Sequence, residues 1–292
     1  MKQSSTSHFA DDTCISFSAI KIKSLETVLN NDLRTVTDWL QANRLSLNVD
    51  KSKLIIFKSK QKRITHTFSI KLNGSKLNPT DNVKYLGLYI DQNHSFDFQV
   101  NQLSKKLSRT NGILAKLRHF TSKETLIAVY YSLFYSHILY GCPVWSLTSL
   151  NNLKSISILQ KKCLRIMTFS PFNSHTNNIF LENKILKLND IIKTQQMKLV
   201  LDYKNNKLPN DLYQLLNLNS DINTRNTRNA INKGMYIPRV NTKSFGINSL
   251  KYSAPLIWNS ILKIDKSINL INNSYSLGKF LRKHFLSLYE SN

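Results

Sequence analysis

The chain of 292 residues is long enough for one or two domains that each bury a hydrophobic core. Hydrophobic residues make up 41% of it, which excludes a fully disordered chain, and seven glycines with six prolines exclude a collagen-like or linker-dominated architecture. The 41 Lys and Arg against 17 Asp and Glu give a net charge of +24, which predicts an anionic partner such as a phosphate backbone.

The three cysteines are Cys14, Cys142 and Cys163, which are far apart and lie in apolar sequence. This pattern predicts reduced core thiols, without a disulfide framework, a disulfide-linked partner or a metal cluster. No apolar run reaches the roughly 18 residues that would span a bilayer, and the N-terminus has no apolar signal region. We therefore expect an intracellular, soluble chain with no membrane partner.

The N-terminal third combines one helix with short strands. Apolar residues at helical spacing predict an amphipathic helix over about 24–42. The partly β-branched run 53–57 is typical of a buried strand. The dipeptide Asn73-Gly74 lies between two short apolar runs and predicts a hairpin with a type I′ turn. The run 83–90 predicts a further strand.

Beyond Phe96 the apolar period changes from two to about 3.6, so the remainder is predicted to be mostly helical. Thr121 and Glu124 have the spacing of a capping box at the start of a helix over about 122–140. Further helices are predicted at 150–168, 186–204, 252–262 and 276–288, and the polar stretch 217–233 is the candidate linker. The fold class predicted is α+β.

The positive charge is concentrated in one part of the sequence. Residues 51–181 contain nineteen Lys and Arg but only four acids, namely Asp81, Asp91, Asp97 and Glu124. This imbalance predicts a basic groove formed by that part of the chain.

Asp11 and Asp12 stand side by side between two short apolar runs. Like charges next to a core repel one another and cost desolvation free energy unless a cation neutralises them. At the tip of a hairpin such a pair is suited to hold Mg²⁺ for nucleotidyl transfer. Taken alone, the pair is more typical of an exposed turn or a helix cap near a chain end than of a metal site.

Several motifs follow one another in the order and spacing of a known family. Phe-Ala-Asp-Asp at 9–12 precedes the amphipathic helix, and Leu-Asn-x-x-Lys-Ser at 47–52 and Tyr-Leu-Gly at 85–87 come after it. This order resembles the reverse transcriptases of non-LTR, LINE-like or jockey-type retrotransposons. Downstream, the segments that look like later parts of these elements are 132–141, 159–166, 223–225 and 255–259.

The resemblance implies a role for each motif. Asp11 and Asp12 match the metal-binding carboxylates of the palm, Lys51 matches a nucleotide-facing lysine, and Tyr85, Leu86 and Gly87 match the primer grip. The implied cofactor is Mg²⁺, and the implied partners are an RNA template with a DNA primer, or an RNA–DNA duplex. The implied organisation is a partial palm with the primer-grip hairpin at 1–95, a helical thumb-like region at 96–216, a linker at 217–233 and a small helical segment at 234–292.

The same family has fingers and a further palm aspartate well upstream of the Asp-Asp turn. Only eight residues precede Phe9. We therefore expect a C-terminal fragment, truncated relative to the full enzyme and inactive as a polymerase on its own. The alternative is a non-catalytic remnant that binds nucleic acid without sequence preference.

The basic residues of two predicted helices are candidates for phosphate contacts. They are Lys105, Lys106, Arg109, Lys116 and Arg118 in the first helix and Lys161, Lys162 and Arg165 in the second. An ordinary solvated helix face would show the same pattern of basic residues. Lys51, taken alone, is typical of an ordinary surface lysine. The aromatic residues from Tyr130 to Tyr140 alternate with aliphatic ones at helical spacing, which favours core packing over base stacking.

Overall fold

The computed structural model describes residues 4–222, 234–242 and 246–290, and it divides the chain into two compact units, one ending at His94 and the other starting at Ser95. The described residues are mostly helical with small antiparallel sheets, in agreement with an α+β class. Residues 223–233 of the predicted linker, including the motif at 223–225, lie outside the described residues.

The first unit contains one long helix and three two-stranded antiparallel sheets, among the residues described. In chain order its elements are β1 (Ser4–Phe9), β2 (Asp12–Phe17), α1 (Ile22–Ala42), β3 (Ile70–Leu72), β4 (Ser75–Leu77), β5 (Asn82–Tyr85) and β6 (Leu88–Asp91). The predicted helix over 24–42 and the hairpin at Asn73-Gly74 are confirmed. Both turn residues have positive φ, 49° and 77°, as a type I′ turn requires.

The core of the first unit forms between α1 and β3. Leu29 and Leu33, one helical turn apart, are buried with Phe68, Ile70 and Leu72, which alternate along the strand segment. Asn30 also hydrogen-bonds across the edge of this strand. Its Nδ2 donates to the Ser69 carbonyl and its Oδ1 accepts from the Lys71 amide, both at 2.9 Å. The helix therefore covers a strand edge that would otherwise be open.

Two strand predictions for the first unit are wrong. Segment 53–57 makes a single bridge, between Leu54 and Pro79, because the proline has no amide proton with which to continue a ladder. Segment 83–90 is a hairpin, β5–β6, and not one strand. Its turn residues Leu86 and Gly87 have φ of 45° and 79°, and a leucine in that conformation gives no turn signal in the sequence.

The second unit is helical in its described residues. Its elements are α2 (Asp97–Leu117), α3 (Lys123–Val129), a π-helix (Tyr130–Tyr135), α4 (Ser136–Leu139), α5 (Cys142–Trp145), α6 (Leu150–Met167), α7 (Asn177–Glu182), α8 (Leu188–Lys204), α9 (Asn210–Tyr213), α10 (Asn219–Ile222), α11 (Leu250–Ile264), a 3-10 helix (Lys266–Leu270) and α12 (Ser274–Glu290). The long predicted helices are confirmed, and the run predicted at 122–140 contains the π-helix.

Helices α2 and α6 pack side by side in parallel. Near their starts, Asn152 donates to Asp97 at 2.6 Å, and further along Asn111 donates to the Leu159 carbonyl at 3.1 Å. The predicted capping box is wrong by one residue. Ser122 is the cap and accepts from the Thr125 amide, whereas the Thr121 hydroxyl donates to a carbonyl of the preceding helix.

The C-terminal helices share a core with α8. Trp258 of α11 is fully buried, and the Lys204 ammonium of α8 lies 4.7 Å from its ring centre. Asn259 binds both the amide and the carbonyl of Met235, at 2.8 and 2.7 Å. The asparagine thus pairs with the extended segment 234–236 as a neighbouring strand would.

Candidate metal-binding turn and nucleic-acid interface

The two adjacent carboxylates lie at the closed end of the β1–β2 hairpin. Phe9 pairs with Asp12 at the last step of the ladder, so Ala10 and Asp11 form a two-residue loop. Ala10 has a φ of 51°, a left-handed conformation that glycine adopts at lower cost. Both carboxylates are exposed. The hairpin therefore presents Asp11 and Asp12 to solvent on a strained turn.

Side chains along the hairpin hold its two strands in register. The hydroxyls of Ser5 and Ser16 hydrogen-bond across the strands at 2.7 Å, and His8 Nδ1 lies 3.1 Å from the Thr13 hydroxyl. Ile15 packs against the hydrophobic core between α1 and β3. The acidic turn is thus the end of an ordered element that is anchored to the first unit.

The donor set at this turn fits part of a magnesium site. Protein-bound Mg²⁺ is commonly held by one or two carboxylates together with substrate phosphates and water. Asp11 and Asp12 supply two carboxylates on consecutive residues. Among residues 4–222, 234–242 and 246–290, no three His, Cys, Asp or Glu side chains group closely enough to hold a metal ion.

Lys51 lies in a tight turn that its own motif builds. The Lys51 amide donates to Asn48 Oδ1 at 3.1 Å, and the Ser52 hydroxyl donates to the Asn48 carbonyl at 2.9 Å. Asn48 therefore closes the turn with its side chain, as asparagine commonly does. The Lys51 side chain is exposed.

The residues matched to the primer grip form the tip of the β5–β6 hairpin. Tyr85 ends β5 and is half-buried, while Leu86 and Gly87 are the turn residues. The Lys84 ammonium lies 5.8 Å from the ring centre of Tyr89 on the opposite strand. The acidic turn, the Lys51 turn and this tip are thus three separate local elements of the first unit.

Three of the basic candidates on α2 form a single stripe. Lys105, Arg109 and Lys116 are spaced by four and seven residues, which places them on one face of the helix, and all three are exposed. The buried residues of α2, including Leu103, Leu107 and Leu114, lie on the opposite side. At 1.5 Å of rise per residue the stripe is about 16 Å long. Its geometry suits contacts to successive phosphates.

The other two candidates, Lys106 on α2 and Arg118 at its C-cap, differ from the stripe. Lys106 is exposed but lies towards α4, where its charge adds to burial in lowering the pKa of His137. Arg118 is half-buried, and its guanidinium stacks 4.8 Å from the ring centre of Phe169. Arg118 therefore already has a packing role.

The candidates on α6 divide in the same way. Lys161 and Lys162 are exposed. Arg165 is half-buried and donates twice to the Ser174 carbonyl, from Nε at 3.1 Å and from a terminal nitrogen at 2.8 Å. Arg165 thus fixes the loop that follows α6.

The chain is similar to curated proteins of mobile elements, whereas no family model and no solved structure matches it significantly. It is 25% identical over 223 residues to the RNA-directed DNA polymerase from mobile element jockey of Drosophila melanogaster, covering 74% of this chain and 24% of that protein. The corresponding polymerase of Drosophila funebris is 24% identical over 63% of this chain and 20% of its own length. The probable RNA-directed DNA polymerase from transposon BS of Drosophila melanogaster is 26% identical over 56% of this chain and 18% of its own length.

The chain is similar to RNA-directed DNA polymerases of mobile elements, the jockey polymerases among them. All three matches are to the kind of polymerase that the motifs at 9–12, 47–52 and 85–87 resemble. The chain spans at most about a quarter of the length of the curated relatives it matches.

A buried glutamine joins three parts of the second unit, and the sequence analysis did not identify it. Gln160 is 0% exposed. Its Nε2 donates to the Tyr130 hydroxyl at 3.0 Å and to the Leu186 carbonyl at 2.9 Å, and its Oε1 accepts from the Leu188 amide at 2.8 Å. The sequence feature that could have revealed Gln160 is its position on the apolar face of α6, which it shares with Ile156 and Cys163.

A second buried polar group joins α8 to α12. Tyr289 donates to Asp190 at 2.5 Å and accepts from the Lys187 amide at 3.0 Å. Burial, followed by the bond to Asp190, raises the pKa of Tyr289. The Lys187 ammonium lies 4.0 Å from the ring centre of Tyr289. These groups stabilise the packing of α12 and lie away from the candidate sites in the sequence.

The aromatic run and the cysteines are largely structural. Tyr130 and Phe134 are fully buried and stacked, whereas Tyr140 is exposed. All three cysteines are free thiols, but only Cys142 and Cys163 are buried as predicted, whereas Cys14 is half-buried. Burial raises the pKa of Cys142 to about 12. Within the described part of the chain, no helix combines the length and the apolar character needed to cross a membrane.

Proposed function

We propose that this chain forms part of an RNA-directed DNA polymerase of a mobile element. In this proposal the first unit supplies part of the palm, including the acidic turn and the primer grip, and the second unit acts as a thumb-like body against the RNA–DNA duplex. The observation that carries the proposal is the hairpin that exposes Asp11 and Asp12 together, in a chain related to such polymerases.

The role proposed for each residue rests on the resemblance of its motif to the polymerase family, and the exposure of Asp11, Asp12 and Lys51 is compatible with it. Bound Mg²⁺ would lower the pKa of the primer 3′-hydroxyl and stabilise the leaving pyrophosphate. Asp11 and Asp12 would hold the metal with their carboxylates. The exposed ammonium of Lys51 would neutralise phosphate charge on the incoming nucleotide. Tyr85, Leu86 and Gly87 would contact the primer strand.

Two carboxylates are only a share of the ligands that a pair of metal ions needs. We therefore expect the purified chain to extend no primer on an RNA template in Mg²⁺. The metal site itself needs a measurement that does not depend on turnover.

Iron-directed cleavage tests the metal site directly. Fe²⁺ replaces Mg²⁺ at oxygen ligands and, with ascorbate and peroxide, cuts the polypeptide nearby. We expect cleavage within 8–14 when the full chain is bound to an RNA–DNA hybrid, with Mg²⁺ suppressing the cut. Asp11→Asn and Asp12→Asn should each abolish it. Mass spectrometry of the fragments gives the position.

The matched control is Asp38→Asn, which removes the same charge from an exposed position on α1. This variant should be cut like the parent chain. Equal cleavage in the Asp11→Asn and parent chains, or no cut near the turn, would contradict the metal-binding role.

The second candidate function is sequence-nonspecific binding of nucleic acid without catalysis. It is favoured by the exposed stripe of Lys105, Arg109 and Lys116 on α2. Phosphate contacts release counterions, so the logarithm of affinity falls linearly with the logarithm of salt concentration, by about 0.9 per contact on a duplex. Replacing all three residues by alanine should reduce this slope by about 2–3.

The control for charge is the triple alanine variant of Lys263, Lys266 and Lys279, which are also exposed. It should keep the slope of the parent chain within about 1. Equal slopes in the two triple variants would show that net charge, and not the stripe, carries the binding.

A further inference from the structure

A cleft of about 290 Å³ opens where α2 and α6 end. Its floor is apolar and consists of Leu126, Met167 and Ile179, all of which are buried. Its size is at the lower end of small-molecule pockets and suits one planar ring system. Lys123 and Glu182 stand at its rim.

One wall of the cleft is Phe169, which ends α6 in a left-handed backbone conformation. Its φ is 53°, it directly follows the cap residue Thr168 of α6, and its side chain is 57% exposed. Helices favour glycine at this position because a side chain is strained there. Arg44, Lys184 and Asn206 end other helices in the same conformation, so this φ belongs to the helix end. What the cleft offers to a ligand is the exposed ring of Phe169 on its wall.

Two neighbouring side chains contact the Phe169 ring. Arg118 stacks on it at 4.8 Å, and the His119 ring meets it edge-on with centres 5.8 Å apart. Phe120 and Phe172, each 86% exposed, lie close to the cleft in sequence. The loop that carries Phe172 is held by the two hydrogen bonds from Arg165 to Ser174.

We propose that this cleft binds an unpaired nucleobase of a single-stranded nucleic acid, stacked against Phe169. The proposal rests on the nucleic-acid-binding function proposed above and names the form of nucleic acid that this site takes. Aromatic rings stack on bases of any sequence, and a neighbouring arginine adds a cation–π contribution.

The rim groups match the other parts of a nucleotide. The Lys123 ammonium suits a phosphate, and the Glu182 carboxylate suits the N–H groups on the edge of a base. The net charge of +24 favours a polyanionic ligand over a peptide. A paired base is stacked within its helix and does not fit a cleft of this kind.

The test measures affinity of the full chain for labelled probes by fluorescence anisotropy. The probes are a short oligoadenylate strand as RNA, the same strand as DNA, an abasic DNA strand of equal length, and an RNA–DNA duplex. Phe169→Ala should weaken binding of a base-bearing strand about tenfold and leave the abasic strand and the duplex within about twofold. If Phe169→Ala weakens binding of the RNA strand, of the DNA strand or of both, that result shows which nucleic acid supplies the base.

Two further variants separate stacking from folding. Phe169→Trp retains a ring and should restore the affinity for the strand. Phe169→Gly removes the ring while relieving the positive φ, so thermal stability should be kept or raised although strand affinity falls. Unchanged strand binding in Phe169→Ala, or equal binding of abasic and base-bearing strands, would overturn the proposal.

The triple alanine variant of Lys105, Arg109 and Lys116 distinguishes this inference from the function on which it rests. If that variant loses duplex binding while Phe169→Ala binds strands normally, the cleft assignment fails and the basic stripe stands. If neither duplex nor strand binds the parent chain, both fail.

Discussion

Glu26, like Asn30, couples α1 to the strand segment beside it. Its carboxylate lies 2.6 Å from His66 Nε2 and accepts from the Ser69 amide at 2.9 Å. The hydrogen bond to His66, followed by the bond from Ser69, lowers the pKa of Glu26. The carboxylate is thus stabilised in its charged form in the folded chain.

A lowered pKa of an acid makes stability depend on pH in a definite direction. Glu26 contributes stability above the pKa it has in the unfolded chain, about 4.3, and this contribution is lost as the pH falls through the folded pKa. We expect Glu26→Gln to destabilise the first unit at neutral pH and the difference to shrink steadily below about pH 4. Hydrogen exchange of peptides from 22–42 in a urea series measures it.

The control is Asp38→Asn on the exposed side of the same helix. It should change the stability of the first unit little, both at neutral pH and below about pH 4. A Glu26→Gln difference that is the same at both pH values would show that the loss comes from packing and not from the charge.

Gln160 has a comparable role inside the second unit. Gln160→Leu keeps most of the volume but leaves the Tyr130 hydroxyl, the Leu186 carbonyl and the Leu188 amide without their partner. Buried groups that lose a hydrogen bond cost about 1–3 kcal/mol each, so we expect a loss of at least about 2 kcal/mol in the free energy of unfolding. Urea denaturation followed by circular dichroism measures it.

The neighbouring substitution Lys161→Ala is the control, since Lys161 is exposed and should change stability by less than about 0.5 kcal/mol. If Gln160→Leu is as stable as Lys161→Ala, the polar network does not hold α6 to α8.

At the scale of elements, two hairpins of the first unit use the same turn with different residues. Asn73-Gly74 and Leu86-Gly87 both have positive φ at both positions. Asparagine adopts this conformation readily, whereas leucine is strained by about 1 kcal/mol. We expect Leu86→Asn to stabilise the β5–β6 hairpin and Asn73→Leu to destabilise the β3–β4 hairpin. Hydrogen exchange of the two hairpins in the full chain measures both.

The two substitutions serve as controls for each other because each alters one hairpin. A loss of protection in Leu86→Asn would mean that the leucine side chain, which is half-buried, stabilises its hairpin more than the turn conformation destabilises it. The turn argument would then be wrong for that hairpin.

These hairpins also show how far the sequence determines the elements. The Asn-Gly turn was predictable because both residues favour positive φ, whereas Leu86 carries no such signal. The segment 53–57 has the composition of a strand, but its partner position is Pro79, and pairing partners are not visible from local composition. The long helices were predictable because burial on one face imposes a 3.6-residue period over many residues.

The functional candidates also divide into features that local sequence shows and features that it does not. The acidic pair and the basic helix faces are local patterns, so they could be predicted from the sequence alone. The roles of Gln160 and Asn259 depend on which segments meet in space, and single residues with ordinary local context do not report this. The role of Arg165 as a loop anchor was hidden for the same reason. The positive φ of Phe169 is a local feature of the end of α6, but phenylalanine gives no sequence signal for it.

At the scale of the whole molecule, the two units have cores of very different size. Among the described residues, five buried hydrophobic side chains belong to the first unit and thirty-six to the second. Hydrophobic burial is the main stabilising contribution to folding, so each unit has its own stability and the smaller core should give the lower one. Regions with few buried apolar contacts open first.

We expect thermal unfolding of the full chain to show two transitions, with the first unit melting at the lower temperature. Ile70→Ala removes a fully buried side chain from the first unit at a cost of about 2–5 kcal/mol and should lower only the first transition. Leu107→Ala, a matched change in α2, should lower only the second. Calorimetry, with limited proteolysis to assign each transition, provides the measurement. A single transition that both substitutions shift equally would show that the two cores unfold as one cooperative unit.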